Sequence, residues 1–292
     1  MNRLVYFIQC HITKIILSIK RIVNRKSVIQ ETNRKTHIIV SLTSIPSRYD
    51  KLFYTLESIF DQTLKPDKIV LYLGEDNKTK ELPSFINEYK KRGLIVEYRE
   101  DKTLKCHTKY FYAIQEYPDD IIITLDDDIM YHKNIIRDLY NSYIKHPNCI
   151  STIRPHKYKI IDNKINSYTE WIYDYNKEDS LIPNHLLCPT GVGGVLYPPH
   201  ILPGEMFNKE FIKNNIINQD DIYLLFNELK YSIKVVRATK KKYKLLIVDG
   251  TQEVSLSATN VIKNKNDSAL DKMNNIYNID FENMMVNNNE EE

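Results

Sequence analysis

Four short, mostly apolar runs, rich in β-branched residues, most constrain how this chain of 292 residues folds. They are His37–Leu42, Lys68–Leu73, Leu94–Tyr98 and Asp120–Leu125. Helical patterns separate these runs, and continuous rather than alternating apolar strands are typical of a parallel sheet covered on both faces. Right-handed crossovers then place the loops that follow the strands at one edge, where ligands bind in open α/β sheets. The sequence therefore predicts an α/β fold with a Rossmann-like sheet.

The second half of the chain is less regular. Strands are predicted at Ile150–Ile153, Ile233–Val236 and Leu245–Val248, and helices at Phe207–Asn214 and Asp220–Leu229. No internal repeat and no Pro- or Gly-rich linker divides the sequence. This favours one compact domain over two smaller ones.

An acidic triplet, Asp126–Asp128, directly follows the fourth apolar run. Three neighbouring carboxylates repel one another, and a bound cation relieves that repulsion. Oxygen ligands suit Mg²⁺ or Mn²⁺, which are commonly bound by carboxylates together with substrate phosphates. The alternative is a solvated turn, because aspartate is common after strands. The position of the triplet at the carboxyl end of a buried strand favours the metal site.

The first 29 residues have the pattern of a basic amphipathic helix. Its apolar residues recur mostly at three- and four-residue steps and share one face: Val5, Ile8, Ile12, Ile15, Ile16, Ile19 and Val23. Lysines and arginines fall largely on the other side. The longest uncharged run, Leu4–Thr13, is too short to cross a bilayer, which needs about 20 apolar residues. Two interpretations stay open: the helix lies on an anionic membrane surface, or it docks on the main domain or a partner subunit.

Bulk properties exclude several other classes of protein. Hydrophobic residues make up 42% of the chain and charged residues 27%, which excludes a wholly disordered protein. The net charge of +3 is too small to indicate nucleic-acid binding by itself. The cysteines (Cys10, Cys106, Cys149 and Cys188) show no CxxC spacing. We therefore expect a reducing cytosol and neither a zinc knuckle nor a disulfide framework.

The segment DDIIITLDDDIMY, residues 119–131, resembles the DxD-bearing strand of GT-A fold glycosyltransferases, particularly bacterial enzymes of polysaccharide synthesis related to family 2. Other segments resemble elements of these enzymes in the same order: 38–63, 68–77, 106–114, 191–199 and 218–226. The resemblance covers roughly residues 37–250. It implies a GT-A fold, in which a mostly parallel sheet flanked by helices is followed by a less regular, acceptor-binding C-terminal half. It also implies transfer of a sugar from a nucleotide-sugar donor.

The resemblance assigns donor-binding roles to the first loop and to the end of the second strand. These roles fall on Thr43, Ser44, Arg48 and Asp76. Arg48 would pair with a phosphate, or else form a surface salt bridge. Asp76 would accept a hydrogen bond from the base, or cap a turn. Lys109 occupies the place of a basic residue that faces the donor, with an exposed lysine on its helix as the alternative.

The resemblance also assigns roles to the acidic triplet and to a cluster of glycines. Asp126 would contact the ribose or the sugar and, with Asp128, hold the diphosphate through Mn²⁺ or Mg²⁺. Asp127 would be a bystander or would support its neighbours. Three of only 7 glycines are clustered, at Gly191, Gly193 and Gly194. Gly193 and Gly194 would border the donor, at a place where the backbone approaches a ligand or adopts positive φ.

The second chemical element is a pair of aspartates, Asp220 and Asp221, at the start of a predicted helix. Such a helix N-terminus favours carboxylates, and plain capping is the alternative. The resemblance aligns QDDIYL with the family's acidic motif. Asp221 would then take a proton from the acceptor hydroxyl, with Asp220 as the second candidate. Trp171 and Tyr173 would stack on an acceptor sugar, or pack in the core.

These assignments imply three parts of the chain. Residues 1–36 form the basic amphipathic helix, 37–258 a GT-A catalytic domain, and 259–292 a C-terminal helical extension with a disordered tail. The expected partners are a nucleotide-sugar donor, with a UDP-sugar favoured, a glycan or lipid-linked acceptor, and an anionic membrane surface through residues 1–29. No nucleic acid is expected. The expected location is the cytoplasm, peripheral on the inner face of the cell membrane.

The favoured reaction is direct displacement with inversion, because the chain resembles family 2 and has a candidate base. Two alternatives stay open. A sugar nucleotidyltransferase also combines an α/β sheet with Mg²⁺, but it would need a Gly-rich, basic phosphate loop, which SLTSIPSRY is not. A catalytically inactive carbohydrate-binding subunit of a glycan-assembly complex would keep the fold without turnover, although intact Asp126, Asp128 and Asp221 argue against it.

Overall fold

The computed structural model describes residues 3–23, 29, 32–74, 78, 80–99, 104–251 and 265–281. Its strands are β1 (Ile38–Thr43), β2 (Lys68–Gly74), β3 (Leu94–Arg99), β4 (Ile121–Thr124), β5 (Ile129–Met130), β6 (Ile150–Thr152), β7 (Pro155–Lys157), β8 (Ile160–Ile161), β9 (Lys164–Ile165), β10 (Leu187–Pro189), β11 (Val195–Tyr197), β12 (Val235–Arg237) and β13 (Leu246–Ile247). Its helices are α1 (Arg3–Val23), α2 (Leu52–Phe60), α3 (Phe85–Lys91), α4 (Thr108–Glu116), α5 (Ile135–Lys145), α6 (Lys209–Asn215), α7 (Asp220–Lys230) and α8 (Lys265–Tyr277).

The central sheet has seven strands in the order β12-β6-β11-β4-β1-β2-β3. β1 pairs in parallel with both β2 and β4, β2 with β3, and β12 with β6. β11 runs antiparallel between β4 and β6. The sheet is therefore mostly parallel and flanked by helices, which confirms the predicted α/β architecture.

The apolar runs are continuous because the sheet is covered on both faces. Ile39 of β1 belongs to one hydrophobic core, together with side chains of α4, α7 and α8. Its neighbours Ile38 and Val40 belong to a second core, together with side chains of α2 and α5. Successive side chains of a strand point to opposite faces, so both sets of positions must be apolar.

The pairing of strands brings the polar loops to one edge of the sheet. Ser41 of β1 lies opposite Thr124 of β4, so the loops that follow these parallel strands are neighbours. Val195 of β11 also lies opposite Thr124, but β11 is antiparallel. The turn that precedes β11 therefore reaches the same edge as the loop that follows β4. The acidic triplet, the first loop and the glycine cluster therefore all lie at this edge of the sheet.

Helix α1 occupies most of the predicted amphipathic segment, and its seven predicted apolar residues lie on one side. Residues 1, 2 and 24–28 lie outside the described part of the chain. Cys10 and Leu17 are buried in a small cluster with Met130 and Val248. No helix among the described residues combines the length and the apolar character that a membrane span needs.

Helix α8 packs against α7 in the part of the C-terminal extension that the structure describes. The ring of Tyr277 lies 5.5 Å from that of Phe226, and Asn227 Nδ2 donates a hydrogen bond to Tyr277 Oη at 3.0 Å. The predicted disordered tail, 283–292, lies outside the described residues. The observed contacts attach the described extension to the helix that carries Asp220 and Asp221.

A buried ion pair holds α2 against the turn before β3. Arg92 Nη1 lies 2.6 Å from Glu57 Oε2, and the side chains are 5% and 0% exposed. Tyr89 Oη donates a second hydrogen bond to the same carboxylate at 3.1 Å. The same helix carries Thr55, whose Oγ1 donates to the backbone oxygen of Asp127 at 2.8 Å. The ion pair thus stabilises an element that contacts the acidic triplet directly.

We expect Glu57→Ala to lower the free energy of unfolding by about 3–5 kcal/mol, because it leaves the Arg92 charge buried without its carboxylate. Urea unfolding followed by circular dichroism measures this loss. Glu97→Ala is the matched control, since Glu97 is 41% exposed and pairs with Arg99 at 3.0 Å. The control should cost no more than about 1 kcal/mol. Equal losses in the two variants would contradict the stabilising role of the buried pair.

Candidate active site

The middle residue of the acidic triplet forms internal contacts. Asp127 is 5% exposed. Its Oδ1 lies 2.6 Å from Arg48 Nη1, and its Oδ2 accepts a hydrogen bond from Ser44 Oγ. Burial raises the pKa of Asp127, against the opposing effects of Arg48 and Ser44. Asp127 therefore fixes the first loop against the triplet.

Arg48 lies between two carboxylates of the triplet. Its Nη1 is 3.2 Å from Asp128 Oδ2, in addition to its contact with Asp127. Burial alone would lower the pKa of Arg48, but the two carboxylates outweigh it and raise the pKa. The Nε–H group is buried and donates no hydrogen bond to the part of the chain that the structure describes. The ion-pair alternative is thus present in the structure, although the pair lies inside the site rather than on the surface.

The other donor-side residues are distributed around the same edge. Thr43 is the last residue of β1 and is partly exposed, and Ser44 is buried. Asp76 lies outside the residues that the structure describes, so its role stays a prediction.

Lys109 joins the acidic triplet to the aspartates of α7. Its Nζ lies 2.7 Å from Asp126 Oδ1 and 3.1 Å from Asp220 Oδ2. The side chain is only 8% exposed, which excludes the exposed-lysine alternative. Burial would lower the pKa of Lys109, but Asp126, Asp220 and Asp221 outweigh it and raise the pKa well above its usual value. One ammonium group therefore connects residues that are far apart in sequence.

The two aspartates of α7 differ in their partners. Asp220 pairs with Lys109, which outweighs the effect of burial and lowers the pKa of Asp220. Asp221 Oδ1 instead accepts a hydrogen bond from the Gly191 N–H group at 3.1 Å. Burial and the neighbouring charge of Asp220 raise the pKa of Asp221 to about 7, although Lys109 opposes the shift. Asp221 is thus poised to exchange a proton near neutral pH, whereas Asp220 is held as an anion.

The glycine cluster allows close approaches and an unusual backbone conformation. A Cβ atom on Gly191 would lie 2.7 Å from Lys109 Nζ, so a side chain there would displace the lysine. Gly194 has a φ of +95°, which side-chain-bearing residues rarely adopt. Gly193 lies against Arg154. The predicted positive φ is present at Gly194. The atoms that Gly191 and Gly193 approach belong to the protein itself, so the approach of this backbone to a ligand stays a prediction.

Tyr131 is a site residue that the sequence analysis did not identify. Its Oη accepts a hydrogen bond from the Asp126 N–H group at 2.8 Å and donates to the Val192 carbonyl oxygen at 3.4 Å. It therefore links the acidic triplet to the turn of the glycine cluster. Its sequence position five residues after Asp126 gives no signal of this contact, which depends on the pairing of β11 with β4.

The aromatic residues predicted to bind the acceptor have different surroundings. Trp171 is 4% exposed, and its Nε1 donates to the Asn166 carbonyl oxygen at 3.0 Å. It packs in the core, which is the alternative that the sequence left open. Tyr173 is 43% exposed, and its Oη donates to the Tyr168 carbonyl oxygen at 2.9 Å. Burial and the charge of Asp221 raise the pKa of Tyr168, which is half-buried.

The carboxylates of Asp126 and Asp128 suit a cation that is bound together with a substrate. Asp126 and Asp128 lie in the loop that follows β4, on either side of Asp127, and their side chains are 27% and 10% exposed. Mg²⁺ and related cations are usually bound by one or two carboxylates plus phosphates and water. Among the described residues, no three His, Cys, Asp or Glu side chains form a group that would hold a metal alone. The arrangement suits a cation that arrives with a diphosphate.

The chain is similar to a known protein family. The model of the family "Glycosyl transferase family 2" matches residues 46–196, just over half of the chain. The match contains Arg48, Lys109, the acidic triplet and the glycine cluster. No curated protein sequence matches the chain.

Two solved structures share parts of the fold at 9% sequence identity. One is CMP:2-keto-3-deoxy-manno-octonic acid synthetase complexed with CTP, which matches 69% of this chain and 89% of its own with a TM-score of 0.43. The other is the inositol-1-phosphate CTP transferase from T. maritima, with coverages of 83% and 98% and a TM-score of 0.38. Both scores are below 0.5, so neither likeness bears on function. On the family match and the seven-stranded α/β sheet, the chain belongs to glycosyl transferase family 2 and has a GT-A-type fold.

Proposed function

We propose that this protein transfers a sugar from a nucleotide-sugar donor, with a UDP-sugar favoured, to a hydroxyl group of a glycan or lipid-linked acceptor. The observation that carries the proposal is the position of Lys109, whose Nζ contacts both Asp126 and Asp220. The carboxylates assigned to the donor and those assigned to the acceptor are thereby adjacent. Such proximity is required when one reaction joins two substrates.

The donor would bind at the acidic triplet. Asp128 and Asp126 would hold Mn²⁺ or Mg²⁺ with the diphosphate, and the cation, when bound, would neutralise charge on the departing nucleoside diphosphate. Arg48 is fixed by Asp127, and its Nε–H group, which has no hydrogen-bond partner among the described residues, would donate to a phosphate oxygen. Asp127 would therefore act by orienting Arg48.

Asp221 would act as the base. The acceptor oxygen attacks the anomeric carbon, the bond from that carbon to the diphosphate oxygen breaks, and the hydroxyl proton passes to the Asp221 carboxylate. Attack from the face opposite the leaving group inverts the anomeric configuration. Asp220 is paired with Lys109, whereas Asp221 accepts only a backbone N–H group among its hydrogen bonds within the described chain. This difference favours Asp221 over Asp220.

The experiment that tests the proposal measures release of nucleoside diphosphate from a panel of sugar nucleotides, with Mn²⁺, Mg²⁺ or a chelator. We expect metal-dependent release from one donor, and we expect Asp128→Asn to lower it at least about a hundredfold, since the cation would lose a charged ligand.

Asp119→Asn is the matched control, because Asp119 precedes β4 whereas Asp128 follows it, and its side chain is 86% exposed. The control should keep full activity. If no donor gave metal-dependent release and calorimetry found no metal-dependent nucleotide binding, the transferase proposal would be wrong and an inactive binding subunit would replace it.

The raised pKa of Asp221 predicts the pH dependence of turnover. A base must be ionised, so kcat/KM should rise with pH and level off above about pH 7. Asp221→Asn should lower turnover by about 10²–10⁴, the usual contribution of a general base. A pH–rate profile on the active donor measures both effects. A profile that is flat from pH 5 to 8 would contradict the assignment of Asp221 as the base.

The same pKa predicts a stability effect that needs no substrate. The unfolded aspartate ionises near pH 4, so between about pH 4 and 7 only the unfolded state gains the charge, and the fold loses stability as pH rises. Asp221→Asn removes this loss. The variant should therefore have a higher Tm than the wild type at pH 8, and the difference should shrink as pH falls towards 4. A difference that is independent of pH would contradict the raised pKa.

Lys109 should also affect the pH dependence of turnover. Its charge lowers the pKa of Asp221, so Lys109→Gln should move the acid limb of the pH–rate profile to higher pH and reduce turnover at pH 7. Lys105→Gln is the control, since Lys105 is exposed and bonds to Asn218 at 2.7 Å. An unchanged limb in Lys109→Gln would show that the ammonium group does not act on the base.

A further inference from the structure

Helix α1 docks on the domain with its apolar face directed away from the protein. Apolar side chains along the helix are between 44% and 74% exposed: Leu4, Val5, Phe7, Ile8, Ile12, Ile15, Ile16, Ile19, Ile22 and Val23. At 100° per residue they form one continuous arc, which also contains His11 and Ser18 but no lysine, arginine, aspartate or glutamate. A helix that merely packs on its own domain buries such a stripe. This one exposes it.

The orientation of α1 is fixed by contacts on its opposite face. Cys10 and Leu17 are buried, and Tyr6 Oη donates to the Leu245 carbonyl oxygen at 3.2 Å. The Ile247 N–H group donates back to the same hydroxyl at 3.1 Å. Ion pairs add to these contacts: Lys20 with Asp61, Arg21 with Glu88, and Lys14 with Asp249. The basic side of the helix therefore faces the domain and its borders.

Basic residues flank the apolar arc on both sides. Lys14 and Arg21 lie along one border, and Lys20 lies along the other, where Lys244 Nζ contacts Gln9 Oε1 at 2.6 Å. Residues 1–30 contain six basic residues and no acidic one, whereas the whole chain has a net charge of +3. The rest of the chain therefore has a net charge of −3. Lys14, Lys20 and Arg21 pair with acidic residues of the domain, which offsets three of the six positive charges and leaves an excess of basic charge in this segment. A second copy seated on this face would bring two basic segments together, whereas anionic lipid headgroups would neutralise the excess.

We propose that α1 lies in the interface of a membrane that contains anionic lipids. Its apolar arc enters the acyl boundary, and the flanking lysines and arginines lie at the level of the headgroups. A helix of 21 residues is about 30 Å long, so it presents an extended apolar strip parallel to the membrane.

The helix is coupled to the candidate site by direct packing. Its buried residues contact Met130 and Val248, and the Val248 N–H group donates to the Asp128 carbonyl oxygen at 2.8 Å. The acidic triplet is thus one layer away from the membrane-facing helix. This arrangement favours an acceptor carried on a lipid over a free glycan, a consequence that rests on the proposed function, whereas membrane binding itself does not.

The test is sedimentation of the full chain with vesicles of phosphatidylcholine plus phosphatidylglycerol, or of phosphatidylcholine alone. We expect binding to the anionic vesicles and at least about tenfold weaker binding to the neutral ones. The double variant Ile15→Glu, Ile19→Glu should lower the partition coefficient for anionic vesicles by more than about tenfold. Both side chains are more than half exposed, at 60% and 55%, so the fold should tolerate the changes, and the Tm verifies this.

The matched control is Ile144→Glu, Ile182→Glu, which makes the same change at side chains that are 60% and 61% exposed elsewhere. It should keep vesicle binding. Absence of wild-type binding to anionic vesicles, or equal loss in the two double variants, would overturn the proposal. The proposal would also be wrong if the wild type did not bind vesicles and light scattering showed that it is a dimer, which the helix variant converts to a monomer. The assay contains no donor, so a chain that binds vesicles but releases no nucleotide would contradict only the proposed transferase function.

Discussion

The candidate site depends on the ammonium group of Lys109. It neutralises part of a charge cluster in which Asp126, Asp220 and Asp221 lie close together in a largely buried environment. Without this cation, the carboxylates would repel one another or take up protons. Lys109 Nζ forms ion pairs with Asp126 and Asp220 but acts on Asp221 only through its charge. Because of this difference, the pKa of Asp220 is lowered whereas that of the buried Asp221 is raised. Two adjacent residues of the same type thereby differ in how readily they ionise.

The sheet explains why these residues meet. Parallel pairing of β1 with β4 aligns the loops that follow them, and antiparallel β11 returns the glycine turn to the same edge. Gly191 completes the arrangement, because its N–H group holds Asp221 while its missing side chain leaves room for Lys109. The helix α1 packs behind this edge through Met130 and Val248. The same set of contacts thus connects the candidate chemistry with the exposed apolar strip.

Much of this could be predicted from the sequence, because burial on two faces leaves a strong local signal. The apolar runs identified the parallel strands, and the triplet identified the edge at which the candidate site lies. Contacts between distant segments left no such signal. Arg48 and Asp127 meet because the loops that follow β1 and β4 are neighbours, and neither loop has a periodic pattern of its own. The surroundings of Trp171 and Tyr131 depend on strands of two or three residues, which are too short to show a period. The pattern of α1 identified its apolar face, but not that the domain would leave it uncovered.

The central claim is that a nucleoside diphosphate and a divalent cation bind together at the acidic triplet. Crystals grown with UDP and Mn²⁺ test it most directly, because anomalous diffraction locates the metal independently of any assumption about turnover. We expect a manganese peak within coordinating distance of a carboxylate oxygen of Asp128, with the diphosphate between the metal and Arg48. A metal held by other residues, or a nucleotide bound away from this edge of the sheet, would contradict the account.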